Sequence, residues 1–388
     1  MISELDIPTS PVDLTTASIP LWVLMVLGFS IAYAITHFGI PIIVKAAVLK
    51  GLFAETNSRS THKKPVPVLG GVGVFTGFIL STSVVAGSHF PFELSYFITG
   101  LLLIFIVGVK DDILGGTPHK KFIGQTLAAL FICVLADIRI NQLHGFIGIG
   151  HIPYSLSIIL TVLVLLVLIN GFNLIDGIDG LASGIGILVS FVLGIWFFIT
   201  GNIACTIMCA ALAGGLVSFF IYNVFSRKNK IFLGDTGSHV IGLVLGVLVV
   251  RFLQLEPSSK GFAEIDPAIA FSVSLFILPL FDTLRVFSIR IAQGKSPFEA
   301  DRQHIHHRML ELGFSHLQST LILLSVNLVF IITCYLLQDL GNVILISIQL
   351  IVASLLSYRL VTLVKEKNSK AKTVKRVRRI KSKVNFSG

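Results

Sequence analysis

Four short polar segments interrupt an otherwise apolar chain, and they hold residue types suited to phosphate chemistry. They are GVKDD with Asp111 and Asp112, NLIDGIDG with Asn173, Asp176 and Asp179, IFLGDTGS with Asp235, and DRQHIHHR with His304, His306, His307 and Arg308. Carboxylates together with substrate phosphates form the usual Mg²⁺ site. Histidine and arginine side chains donate hydrogen bonds to phosphate oxygens. The pattern predicts a site for a hard cation and a phosphorylated ligand.

The acidic segments also have simpler explanations. Asp111 and Asp112 could cap a helix and solvate a loop. However, two adjacent carboxylates at a low-dielectric boundary repel, and one stays protonated unless a cation neutralises the pair. Lys120, Lys121 or a metal ion could supply that positive charge.

The segment NLIDGIDG places Asp176 three residues before Asp179 and three residues after Asn173. In a helix these side chains share one face. The simpler alternative is a helix N-cap followed by a glycine-rich turn, but two acids beside an apolar wall favour a polar face for a nucleotide or a hard cation. Asp235 lies beside glycines, where open backbone N–H groups suit an anion such as phosphate.

The histidine cluster permits two interpretations. Imidazoles bind zinc well, yet no nearby cysteine or HExxH pattern completes a zinc site, and Arg302 and Arg308 would repel a cation. Histidines mixed with arginines suit a diphosphate better. The segment GGVGVFTGF resembles a nucleotide loop, but Gly73 and Gly77 fit a close helix-packing face more simply.

The composition indicates a polytopic membrane protein. Of 388 residues, 54% are hydrophobic and 13% are charged, with a mean hydropathy of +0.89, whereas soluble domains are about 25% charged. A large soluble domain is therefore excluded. A dense run of Lys and Arg between Arg359 and Lys383 follows an apolar segment. This run is more typical of a cytoplasmic tail beside anionic lipid than of a nucleic-acid site, so we expect no nucleic-acid partner.

Runs of about 20 apolar residues cross a bilayer, and the sequence predicts an all-α fold of about eleven such helices. They begin near residues 19, 68, 94, 122, 156, 183, 204, 239, 267, 318 and 342. With the N-terminus outside and the C-terminus in the cytoplasm, every Lys and Arg except Arg139, Arg251 and Lys260 faces the cytoplasm, as the positive-inside rule requires. The predicted division is a periplasmic segment 1–18, a transmembrane domain 19–361 and a basic tail 362–388.

With these residues assembled, the chain resembles the polyprenyl-phosphate N-acetylhexosamine-1-phosphate transferases of glycosyltransferase family 4. The resemblance runs from about residue 19 to residue 360 and rests on five motifs in the family's order. They are VPVLGG at 66–71, GVKDD at 108–112, NLIDGIDGLA at 173–182, IFLGDTGS at 231–238 and DRQHIHHR at 301–308. One departure is NVFSRKNK before IFLGDTGS, where relatives carry a proline-containing stretch; it leaves open the role of Asn223.

The resemblance implies an enzyme of a bacterial inner membrane whose active site faces the cytoplasm. HIHHR is similar to the branch that transfers GlcNAc-1-phosphate from UDP-GlcNAc to undecaprenyl phosphate, with UMP released, to start O-antigen, common-antigen or other cell-envelope polysaccharides. UDP-GalNAc-type and UDP-MurNAc-pentapeptide donors, a membrane phosphohydrolase and, more remotely, a cation-coupled transporter are alternatives. A homodimer is left open.

The resemblance also implies roles for the polar residues. Mg²⁺, with Mn²⁺ as a substitute, would be bound by Asp235, Asp112 and Asp176. The catalytic acids would be Asp111, Asp112, Asp176, Asp179 and Asp235. Substrate would be bound by Lys120 or Lys121, Asn173, His304, His306, His307 and Arg308.

Overall fold

The computed structural model describes residues 19–53, 66–87, 92–255, 264–266, 268–294 and 304–384. At 92–94 and 370–384 it describes the backbone alone. The predicted periplasmic segment 1–18 lies outside the described residues. So do Asp301 and Arg302 of the histidine segment.

The described residues form helices joined by short connections. The helices are α1 (Leu21–Lys50), α2 (Gly70–Ala86), α3 (Phe92–Leu114), α4 (Pro118–Leu135), α5 (Tyr154–Ile175), α6 (Leu181–Ile199), α7 (Ile203–Phe220), α8 (Gly234–Gln254), α9 (Ala268–Leu275), α10 (Ile277–Ala292), α11 (Ile305–Leu312), α12 (His316–Leu336) and α13 (Gly341–Val384). Within this part of the chain, β-pairing is limited to two isolated bridges, Phe53 with Pro67 and Gln142 with His151. The all-α prediction agrees with this architecture.

A helix lies at each of the eleven predicted positions, but fewer meet the length and hydropathy of a membrane span. Among the described residues, seven helices qualify, or eight if α9 and α10, bent by 79° at Phe276, count as one span. The seven are Leu21–Lys50, Tyr154–Ile175, Leu181–Ile199, Ile203–Phe225, Gly234–Gln254, His316–Leu336 and Gln338–Ser369. α2 is a shorter apolar helix of 17 residues. α3 ends in Lys110, Asp111 and Asp112, and α4 begins with His119, Lys120 and Lys121. These charged residues lower the mean hydropathy of both helices. They belong to the site described below.

α8 is the central helix of the bundle. It packs against α2, α3, α5 and α6, and nearly all of its length is buried. Two glycines allow this close approach. A Cβ on Gly71 of α2 would overlap the backbone of Gly237, and one on Gly108 of α3 would overlap Thr236. The helix that carries Asp235 is therefore enclosed on every side.

The small residues of α2 also pack as the sequence predicts. Gly77 lies against Ala32 and Thr36 of α1, and the Thr36 hydroxyl donates a 3.1 Å hydrogen bond to the carbonyl of Gly73. This helix face leaves no room for a nucleotide.

α13 is one continuous helix of 44 residues. At a rise of about 1.5 Å per residue it is about 66 Å long, roughly twice the hydrocarbon thickness of a bilayer. The predicted boundary between transmembrane domain and tail at residue 361 therefore falls inside an unbroken helix.

Candidate active site

The predicted site residues come together at one end of the helix bundle. α3 and α5 end there, whereas α4, α6, α8 and α12 begin there. The acids therefore lie at helix termini and in the turns beside them, not halfway along the helices.

Lys121 links two of these acids. Its ammonium group lies 2.8 Å from Oδ2 of Asp111 and also forms an ion pair with Asp235. α4 supplies the lysine, and the ends of α3 and α8 supply the acids. Lys121 therefore occupies the position between the two carboxylates that a cation would otherwise fill.

Asp112 holds the first turn of α8. Its carboxylate oxygens accept hydrogen bonds from the backbone N–H of Asp235 at 2.8 Å and of Thr236 at 3.0 Å, and from the Thr236 hydroxyl at 2.5 Å. A carboxylate beside a helix N-terminus satisfies N–H groups that the helix itself leaves unpaired. Both oxygens of Asp112 are thus committed to positioning Asp235.

Asn173 connects α5 to the same turn. Its side-chain amide donates to Oδ1 of Asp235 at 2.6 Å and to the hydroxyl of Ser238 at 3.1 Å. Asp235 is therefore the residue at which α3, α4, α5 and α8 meet.

Asp176 lies in the turn between α5 and α6 and, unlike Asp111, Asp179 and Asp235, forms no ion pair within the described residues. Among the described residues its carboxylate has no hydrogen-bond or ion-pair partner. Burial raises the pKa of Asp176 well above its ordinary value, and the nearby carboxylates of Asp235, Asp112 and Asp179 raise it further. A bound cation would favour the charged form of Asp176, so this carboxyl group is a candidate metal ligand.

Asp179 belongs to a second ion-pair cluster. Its Oδ2 lies 2.6 Å from the ammonium of Lys230 and 3.4 Å from Nδ1 of His316. Asn223 fixes the same turn, because Oδ1 accepts a 2.7 Å hydrogen bond from N–H of Gly180 and Nδ2 donates to the carbonyl of Ile231. Asn223 lies in a π-helical turn, Ile221–Phe225, that extends α7. It joins NLIDGIDG to IFLGDTGS despite the departure in the intervening sequence.

α11 carries the histidine segment and is held at both ends. At its start, Asp282 of α10 accepts from Nδ1 of His304 at 3.0 Å and from the backbone N–H of Ile305 at 3.1 Å. At its end, the ammonium of Lys367 on α13 donates to the carbonyls of Glu311 and Leu312 at 3.0 and 2.8 Å. These contacts satisfy groups that helix termini leave unpaired, so α11 has a fixed orientation.

His306 joins α11 to the acidic turn. It is only 1% exposed, and its ring packs on Gly177 so closely that a Cβ added there would overlap Nε2. Neither ring nitrogen has a hydrogen-bond partner among the described residues. A buried polar group without a partner is costly, which makes this ring a candidate for contact with a ligand.

We predict that Gly177→Ala lowers the free energy of unfolding by about 1–3 kcal/mol, the usual cost of overpacking. The new methyl group would displace the His306 ring. The matched control is Gly39→Ala on α1, where no atom lies within 4 Å of the added Cβ. Thermal unfolding in detergent compares the two. A Gly177→Ala protein as stable as Gly39→Ala would contradict the packing of α11 on the acidic turn.

The stability of the protein should also depend on pH through His306. Burial, with a smaller contribution from neighbouring His307, lowers the pKa of His306 to about 3. The unfolded chain therefore binds a proton that the folded chain excludes between about pH 6.5 and pH 3. This contribution to stability is complete above pH 6.5 and falls by about 1.4 kcal/mol per pH unit below it.

The corresponding measurement is thermal unfolding of wild type and His306→Leu at pH 7.5 and pH 5.5. We expect wild type to lose more stability on acidification than His306→Leu. An equal loss in both proteins would show that His306 is accessible to protons in the folded state.

The remaining predicted residues are less enclosed. His307 is half-buried beside His306, with ring centroids 4.2 Å apart, and half-buried Arg308 pairs with Glu311 at 3.0 Å. Lys120 is exposed and its side chain has no hydrogen-bond or ion-pair partner among the described residues, whereas the side chain of Lys121 enters the acidic cluster.

Several residues of this site escaped the sequence interpretation. Asp282 is a single acid in the apolar stretch ILPLFDTLRVF, and that isolation was a usable signal, because ionisable residues inside membrane segments are usually functional. His316 gave no such signal, since it lies far along the chain from Asp179.

No group of three or more His, Cys, Asp or Glu side chains within the described ranges is arranged to hold a metal ion by itself. Mg²⁺ usually takes one or two carboxylates and completes its coordination with substrate phosphates and water. Asp176 and Asp235 are suited to that arrangement. Metal binding by Asp112 would compete with its bonds to the start of α8.

Comparisons with known proteins support the family resemblance. Residues 94–253 match the model of glycosyl transferase family 4. The chain is 30% identical over 334 residues to a decaprenyl-phosphate N-acetylglucosaminephosphotransferase of Mycolicibacterium smegmatis, covering 80% of each chain. It is 28% identical over 278 residues to an undecaprenyl-phosphate alpha-N-acetylglucosaminyl 1-phosphate transferase of Yersinia pestis, covering 71% of this chain and 74% of the relative. The equivalent protein of Escherichia coli K12 is 28% identical over 278 residues, with 71% and 73% covered. By these similarities and by its motifs, the chain belongs to glycosyl transferase family 4.

Proposed function

We propose that the protein transfers GlcNAc-1-phosphate from UDP-GlcNAc to undecaprenyl phosphate, forming undecaprenyl-diphospho-GlcNAc and UMP. The names of the relatives in Mycolicibacterium and Yersinia and the HIHHR segment support this donor and a polyprenyl acceptor. The product would start O-antigen, common-antigen or another cell-envelope polysaccharide. The observation that carries the proposal is the junction of Lys121, Asp111 and Asp235 beside an uncompensated Asp176 at one end of an apolar helix bundle.

The location of the junction suits substrates of opposite solubility. A polyprenyl chain lies in lipid along the helices, while a water-soluble nucleotide approaches the helix ends. Basic residues are concentrated in the connections at this end of the predicted topology. By the positive-inside rule this supports a site at the cytoplasmic face of the membrane, which we propose is a bacterial inner membrane.

In the proposed reaction, an oxygen of the undecaprenyl phosphate attacks the β-phosphorus of UDP-GlcNAc. The bond from that phosphorus to the bridging oxygen breaks, and UMP leaves with that oxygen and its electron pair. Phosphoryl transfer needs little covalent chemistry from the protein, so positioning and charge stabilisation supply the catalysis.

The roles follow from what each side chain contacts. Lys121 would turn from Asp235 or Asp111 towards phosphate oxygens and stabilise their charge. Asp111 would orient the acceptor phosphate, and Asp112 would keep Asp235 in place through the start of α8. Asn173 would hold Asp235 from the side of α5.

Asp176 and Asp235 would bind Mg²⁺ together with the diphosphate, and Mn²⁺ is a chemically similar substitute. When bound, the cation would neutralise charge on the β-phosphate and on the leaving UMP. Asp179, through Lys230 and His316, would shape the nucleotide pocket. The sugar diphosphate would contact His304, which precedes α11, and His306, His307 and Arg308 on α11.

The donor is tested with purified protein, undecaprenyl phosphate and, in turn, UDP-GlcNAc, UDP-GalNAc and UDP-MurNAc-pentapeptide. We expect a lipid-linked product and an equal amount of UMP with UDP-GlcNAc. A lipid product from another donor alone would refute the donor assignment. Free sugar phosphate without a lipid product would instead identify a phosphohydrolase.

A further inference from the structure

A second layer of polar side chains lies one helical turn below the proposed site. The outer layer consists of Lys121 on α4, Asn173 on α5 and Asp235 on α8. The inner layer consists of Gln125, Asn170 and His239, which follow or precede these residues by three or four positions on the same helices. Residues at that spacing share a helix face. α4 and α8 begin at the site and α5 ends there, so all three inner residues lie deeper in the bundle.

The inner layer is joined by its own hydrogen bonds. The amide of Asn170 donates to Oε1 of Gln125 at 2.9 Å. The amide of Gln125 lies 3.3 Å from Nε2 of His239, and since an amide nitrogen can only donate, Nε2 is the acceptor. Gln125 therefore connects α5 to α8 across the first turns of α4.

The inner layer is enclosed by the bundle. Gln125 and His239 are both fully buried. With Nε2 accepting, the ring proton lies on Nδ1, and Nδ1 has no partner within the described part of the chain. An apolar residue at position 239 would avoid this unpaired group, so stability alone does not account for the histidine.

The outer layer needs such support. It brings Asp111 and Asp235 together around Lys121, whose ion pairs link α3, α4 and α8. When Lys121 turns towards a substrate phosphate, its ion pairs across α3, α4 and α8 weaken. The hydrogen bonds of the inner layer involve no substrate-binding group and can persist through that change.

We propose that Gln125 and His239 are positioning residues, whose hydrogen bond fixes α4 against α8 so that Lys121 and Asp235 face the same substrate. This inference rests on the proposed function. It adds two residues that touch no substrate and act one turn away from the reacting groups.

The test uses three proteins besides wild type. His239→Phe keeps an aromatic ring and removes the acceptor. His239→Gln restores an acceptor through its side-chain carbonyl. The double variant Gln125→Leu with His239→Phe removes both partners, and the amide of Asn170, which loses Oε1 of Gln125, keeps its 2.8 Å hydrogen bond to the carbonyl of Leu166. For each protein, kcat, KM for UDP-GlcNAc and the unfolding temperature are measured.

We expect His239→Phe to lower kcat about tenfold, since small displacements of reacting groups have effects of this order, with KM nearly unchanged. His239→Gln should recover most of the rate. The double variant should recover the unfolding temperature but not kcat, because packing is restored without the link between the helices. A purely structural role would instead restore kcat together with stability, and that result would overturn the proposal. Wild-type kcat in His239→Phe, or no recovery in His239→Gln, would also overturn it.

Asp235→Asn separates this inference from the proposed function. An active Asp235→Asn protein would refute the site itself. An inactive Asp235→Asn protein combined with a fully active His239→Phe protein would refute only the positioning role.

Discussion

Asp235→Asn is expected to reduce transfer of GlcNAc-1-phosphate by about 10³-fold or more, because positioned charge is the main source of catalysis in phosphoryl transfer. Asparagine keeps the shape of the side chain and an oxygen that can accept from Asn173. It removes the charge that pairs with Lys121 and that would bind a cation. The rate is measured as formation of lipid-linked product at saturating donor and acceptor.

The matched control is Asp339→Asn, which changes an exposed aspartate beyond the opposite end of α12. Both variants should elute from gel filtration and unfold as wild type does. Full activity in a folded Asp235→Asn protein would remove Asp235 from the catalytic site, and equal losses in both variants would point to a general effect of lost charge.

Lys121→Gln should have the second largest effect, a loss of about 10²–10³-fold in kcat, the usual consequence of removing one group that stabilises transition-state charge. Lys121 is the described cation that contacts both Asp111 and Asp235. Its removal leaves Asp111 and Asp235 without their shared cation, so the variant should bind Mg²⁺ more tightly and reach half-maximal rate at a lower Mg²⁺ concentration.

The adjacent Lys120→Gln provides a close control, because it removes the same charge from an exposed position on the same helix turn. We expect its kcat to stay within about twofold of wild type, as for most exposed substitutions. Equal losses in the two variants would mean that overall positive charge, and not the contacts of Lys121, drives the reaction.

The sequence predicted that the acids of the candidate site would lie together, because ionisable residues are rare in apolar chains. Asp111, Asp112, Asp176 and Asp235 stand out for that reason, and the structure brings them to one end of the bundle. The sequence could not distinguish Lys120 from Lys121, since the choice depends on the rotation of α4 about its axis. Only packing against α3 and α8 determines that rotation.

The residues that support the site were harder to recognise. Gln125, Asn170 and His239 are uncharged and lie within apolar helices, where single polar residues have many explanations. Their meaning depends on contacts between α4, α5 and α8, which no local pattern records. The division of α9 and α10 at Phe276 was missed for a similar reason, because the apolar run continues through the bend.

The number of membrane-spanning helices was difficult to predict from the sequence for a different reason. A described helix lies at each of the eleven predicted positions, yet α3 and α4 carry charged residues at the ends that form the site. Their composition combines that of a span with that of an active site. A rule based on hydropathy and charge therefore cannot assign such helices from sequence alone.

The central claim is most directly tested by incubating purified protein with radiolabelled UDP-GlcNAc and undecaprenyl phosphate, with Mg²⁺ or with EDTA. The account predicts label in the organic-extractable lipid, matched by release of UMP, only when Mg²⁺ is present. Lipid label of equal amount in EDTA would contradict the cation assigned to Asp176 and Asp235. No lipid label from any UDP-sugar in a folded preparation would contradict the transferase itself.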